Sequence, residues 1–191
     1  YFQSYSVDVG HVIELPVLDL LGADGEPRNH LEDEISLDPL RPFSATRKVV
    51  GELIVLGNVE RQNFVDDASE AVLLLLDPYQ SPPPAGMYGS WPWAGVLRLV
   101  PDGQVQGGHD PPPQSSFGWS SYPQMLIGES AARRLLEEAG LDLDGLLDQL
   151  AVGEEMALPT GLQMRVEVAL AYEERHGVNV IGYFPAADVM T

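Results

Sequence analysis

No cysteine occurs in the 191 residues, so neither a disulfide framework nor a thiolate metal site is available. Positive charge is almost as scarce. Ten Lys and Arg, of which only Lys48 is lysine, stand against 29 Asp and Glu, for a formal net charge of -19. Nucleic acid is bound by cations set against phosphates, so DNA and RNA are not expected as partners. The same field repels an anionic membrane surface. Long apolar runs are missing too: Ala71–Leu76 is the longest, far short of the roughly 20 residues that a membrane-spanning helix needs. Nothing between Ser6 and Gly22 joins a basic leader to a continuous apolar stretch, so no signal peptide is read and a soluble, cytoplasmic protein is expected.

Metal and cofactor signatures are likewise absent. His11, His30, His109 and His176 show neither a two-histidine helical spacing nor a His-Glu-x-x-His arrangement. Asp142-Leu143-Asp144-Gly145 starts like a calcium loop, but Leu146 and Leu147 follow at once with a helical period. No glycine-rich phosphate loop occurs. We therefore expect no metal and no cofactor. His109-Asp110, in a loop, is the best general-base candidate that the sequence offers.

What remains is a globular composition, 45% hydrophobic and 20% charged, long enough to bury roughly 70% of the surface of the unfolded chain. Tyr1-Phe2-Gln3-Ser4 reads as the remnant of a cleaved affinity tag. Residues 5–191 read as one α+β domain, and the arginine-rich, Ala-, Gly- and Pro-rich usage suggests a bacterial source. One strand is expected within 12–21, ending at the turn Gly22-Ala23-Asp24-Gly25. Val49–Leu56, Val59–Val65 and Ala71–Leu76 read as an antiparallel meander, and Gly95–Val100 as a further strand. A helix is expected from Glu129-Ser130 to Gly140, with Arg133 and Arg134 pairing four residues on with Glu137 and Glu138. A second runs from an Asp142 or Asp144 cap to Gly153. Leu162–Tyr172 alternates as a strand, and Gly177–Phe184 returns beside it after a turn at Glu173–His176. The expected fold is a predominantly antiparallel sheet with the helical hairpin packed on one face.

Two proline-stiffened, aromatic-rich loops, 78–94 and 102–123, are the most unusual stretch. Pro82-Pro83-Pro84 and Pro111-Pro112-Pro113 are each followed by three small or flexible residues and then by an aromatic and a glycine. Tyr88, Trp91, Trp93, Phe117, Trp119 and Tyr122 all fall in these segments or at their flank. Aromatic rings bury large areas at little cost in rotamer freedom and are enriched at recognition surfaces. With the acidic clusters Glu32-Asp33-Glu34 and Asp66-Asp67, they suggest a non-enzymatic binding protein of the immunity or inhibitor type, whose partner protein carries a basic patch. The rings alone would also suit a carbohydrate or small-molecule binding module, or could simply fold back over the sheet.

A third reading rests on Gly128-Glu129-Ser130-Ala131-Ala132, preceded by Met125-Leu126-Ile127. These five residues resemble the nucleophile elbow of the carboxylesterase branch of the α/β-hydrolases. The resemblance implies Ser130 as nucleophile and His176 as base, with an acid among Asp142, Asp144, Asp148 and Glu154. The elbow's last glycine is Ala132 here, and no oxyanion segment lies upstream. The plainer expectation is that Ser130 caps a helix, with Glu129 beside its positive end.

Overall fold

Two kinds of strand pattern occur in the sequence. Leu53–Leu56, Val72–Leu75 and most of Gly95–Val100 are apolar at successive positions, as in strands covered on both faces. Met164, Val166 and Val168 instead alternate with Arg165 and Glu167, as in a strand with one wet face. The computed structural model describes residues 2–31, 34–37, 47–58, 71–76, 95–105 and 124–180, and combines both kinds in one eight-stranded mixed sheet. In chain order the elements are β1 (Phe2–Leu21), β2 (Pro27–His30), β3 (Ile35–Leu37), β4 (Arg47–Gly57), β5 (Val72–Leu75), β6 (Gly95–Val100), β7 (Gln124–Gly128), α1 (Glu129–Glu138), α2 (Leu143–Ala151) and β8 (Met156–Val180). Across the sheet the order is β2-β1-β8-β4-β5-β6-β7-β3.

The α+β class is as expected, and four of the seven strand pairings are antiparallel, but the sheet is mixed and the expected meander is corrected. β4, β5, β6 and β7 run parallel to one another, so Val49–Leu56 and Ala71–Leu76 do not belong to a meander. Among the described residues, β1 pairs antiparallel with β2 and β8, β4 with β8, and β3 with β7. The reason lies in the connections. Residues 58–71, 76–94 and 101–123 are each long enough for the crossover that parallel neighbours require, at least about a dozen residues. Burial agrees: on β5 and β6, Leu73 and Val96 are as buried as Leu74 and Leu97, which point the other way.

The sheet curls. A flat eight-stranded sheet would hold its outer strands about 34 Å apart at ~4.8 Å per strand. Yet His30 ends β2 and Ile35 begins β3, and five residue steps reach at most about 17 Å. The linking residue Leu31 donates its amide to Leu18 O on β1 at 3.0 Å. Leu31 and Ile35 are each 1% exposed and join the core with Leu18 and Leu20 of β1, the inward residues of β4–β8, and both helices.

α1 follows β7 without a loop and buries Ala131, Ala132, Leu135 and Leu136, one stripe of its surface. It stops at Gly140, whose φ of +72° lets Leu141 N reach back to Leu136 O at 2.8 Å. α2 is capped by Asp142, which accepts from Gly145 N at 3.0 Å, and it contributes Leu143 and Leu146 to the core.

One further expectation changes. No turn interrupts Glu173–His176: β8 continues to Val180, because β1 pairs with it from Leu20↔Met164 out to Phe2↔Val180. Phe2–Ser4 stand at the start of β1, opposite Val178–Val180 of β8. The expected strand Val59–Val65 and both aromatic loops, apart from 102–105, lie outside the described residues.

β8 also carries a bulge. Between Glu52↔Gln163 and Ile54↔Pro159 three residues of β8 face Leu53 alone. Thr160 repairs the gap: its Oγ1 donates to Leu53 O at 2.7 Å and accepts from Leu162 N at 3.1 Å. Gly161, at φ +73°, supplies the backbone turn, and its amide donates to Glu52 Oε1 at 2.9 Å. Thr160→Val keeps the shape and removes both bonds, so it should destabilise the fold by about 1–3 kcal/mol, read by urea unfolding. An unchanged midpoint would mean that the bulge does not depend on the hydroxyl.

Candidate functional site

Asp19 is the one charged side chain among the described residues that is fully buried, at 0% exposure. It sits in the apolar run Val17-Leu18-Asp19-Leu20-Leu21, with Leu18 and Leu20 turned into the core and Asp19 on the opposite face. Register places it between two cross-strand partners, His30 on β2 and Arg165 on β8. His30 Nδ1 lies 2.6 Å from Asp19 Oδ1, and Arg165 Nε donates to Oδ2 at 2.7 Å, with Nη2 donating to the same oxygen. Both carboxylate oxygens are thereby held, as a buried charge requires.

His30 is itself open to solvent, its side chain 61% exposed. With Nδ1 turned to the carboxylate, proton exchange or ligand donation falls to Nε2. Chemically the arrangement orients one imidazole. Among the described residues no group of three or more His, Asp or Glu is placed to hold a metal ion.

The second cluster lies at the carboxyl ends of β6 and β7. Asp102 accepts from Ser130 N at 2.9 Å and from Ser130 Oγ at 2.5 Å. The residue that precedes α1 is Gly128, and it makes no side-chain cap. Ser130 therefore does not cap α1 itself; a carboxylate from the turn after β6 does so, opposite the positive end of the helix. Gly128 leaves the room, since a Cβ there would stand 2.5 Å from Asp102 Oδ1. The Ser130 hydroxyl, and to a lesser degree its amide, hold the Asp102 carboxyl below the usual carboxylate range.

That shift has a definite sign. A depressed folded value means that the contact stabilises at pH above the ordinary aspartate value, about 3.9, and is lost as pH falls through the lower folded value. Asp102→Asn should lower Tm at pH 6, and the gap to the parent should close on acidification toward pH ~2.5. A gap that is constant with pH would exclude ionised Asp102 as the cap.

Ser130 and His176 are not bonded to each other. Ser130 is at the second position of α1, with its hydroxyl donated to Asp102, and its backbone lacks the positive φ of a strained elbow. His176 is on β8, eight residues beyond Val168, the last residue paired with β4, and its Nδ1 lies 3.0 Å from Ser6 Oγ of β1. Of the acids expected with them, Asp142 caps α2 and Asp144 grips Arg133 through two 2.8 Å bonds. This guanidinium holds the Asp144 carboxyl below its usual range.

The arginines of α1 do not pair within the helix as expected. Arg133 reaches Asp144 at the start of α2, and Arg134 reaches Glu34, just before β3. Glu138 is taken by Arg28 of β2 at 3.4 Å. Glu34, expected in an exposed acidic cluster, is thus half-buried and paired. Glu32, Asp33, Asp66, Asp67, Tyr88, Trp91, Trp93, Phe117, Trp119, Tyr122 and His109 lie outside the described residues. Sequence reasoning missed Asp19, Arg165 and Asp102. The signal for Asp19 was present, an acid in the middle of an apolar strand; the other two had none.

No family model matches the chain, and no curated protein matches it. Among solved structures, it is similar to a peptidase M28 precursor from Shewanella amazonensis SB2B, with a TM-score of 0.46 and 10% identity. The match covers 94% of this chain and 39% of that one, so the chain spans well under half of that protein. No helix of the described residues is long and apolar enough to cross a membrane.

Proposed function

We propose that the chain is a non-enzymatic acidic binding protein, of the immunity or inhibitor type, that recognises a basic patch on a partner protein. The observation that carries this reading is the fate of its cations. Arg28, Lys48, Arg133, Arg134, Arg165 and Arg175 each already hold a carboxylate of the same chain. With 29 acids to ten bases, the surplus carboxylates have too few cations within the chain to neutralise them. Glu129, Glu137, Asp142, Asp148, Glu154 and Glu155, on and around the helical pair, are all exposed. Such a field steers encounter with a basic surface and is screened by salt. In this reading Trp91, Trp93 and Trp119 are the apolar anchors, because aromatic hot spots carry much of the affinity of a protein interface.

Copurification from an extract of the source cells tests it. A partner should be retained at ~50 mM salt and released by ~500 mM, where the Debye length falls to about 4 Å. Trp91→Ala and Trp119→Ala should release it without changing Tm. Retention that is indifferent to salt would sink the electrostatic half of the proposal, and a lowered Tm in the Trp variants would make those rings part of the fold instead.

A further inference from the structure

We draw no further inference here: the strongest candidate, the exposed apolar patch of Phe2, Val178 and Val180 at the tip of the ribbon formed by β1 and β8, is an unpartnered face, and nothing in the structure shows what covers it.

Discussion

Asp19→Ala is expected to cost about 3–5 kcal/mol, the largest loss of any single polar substitution among the described residues. The wild-type carboxylate is fully buried between Arg165 and His30, and removing it leaves the guanidinium, only 27% exposed, without its counter-ion. The size of the effect reflects that abandoned charge more than the net worth of the pair. A control follows from the same reasoning. Asp19→Leu combined with Arg165→Met removes both charges and fills the space with apolar atoms, and should recover most of the loss. Urea unfolding of the three proteins reads the comparison. If Asp19→Ala costs under about 1 kcal/mol, the cluster is solvated in practice and the burial argument fails.

Gly57→Val should destabilise by about 1–3 kcal/mol, for a steric reason. A Cβ built at Gly57 would lie 2.1 Å from Leu150 Cδ2 and 3.0 Å from its Cγ. A leucine terminus can often swing away, but here the chain behind it is pinned. Asn58, in the left-handed region at φ 51°, donates through Nδ2 to Leu150 O at 3.0 Å and to Glu154 O at 3.2 Å. The end of α2 is thereby tied to the end of β4, and the Leu150 side chain packs against the core. Adding Leu150→Ala to Gly57→Val should therefore cost less than the sum of the two single changes. A double-mutant cycle measures that coupling, and strict additivity would show that the two residues do not compete for the same space.

The helical pair was the most legible part of the sequence. The stripe Ala131, Ala132, Leu135 and Leu136, the glycine stops at Gly140 and Gly153, and the Asp142 cap are local signals, and each stands where its spacing puts it. The strand direction was harder to read. Leu53–Leu56 and Val72–Leu75 carry no alternation, and that absence was itself the sign of strands covered on both faces. It was outweighed by the polar residues between them, which resemble the turns of a meander. β8 was divided at Glu173–His176 because a run of charged residues looks like a turn, whereas the pairing of β1 along its full length holds it extended. The ion pairs of α1 depended on which elements come to lie beside it, and four-residue spacing cannot see Glu34 or Arg28. Asp19 was recognisable as an oddity, but its partners stand 11 and 146 residues away.

The four-residue passage from β2 to β3 ties together the first and last members of the strand order. An open sheet can fray independently at either margin. Here the margins are one stretch of chain, with Leu31 and Ile35 both sunk in the interior and Arg28 and Glu34 both clasped by α1. Detaching one margin drags on the other and on the helix, so the two boundaries share a single stability instead of having two.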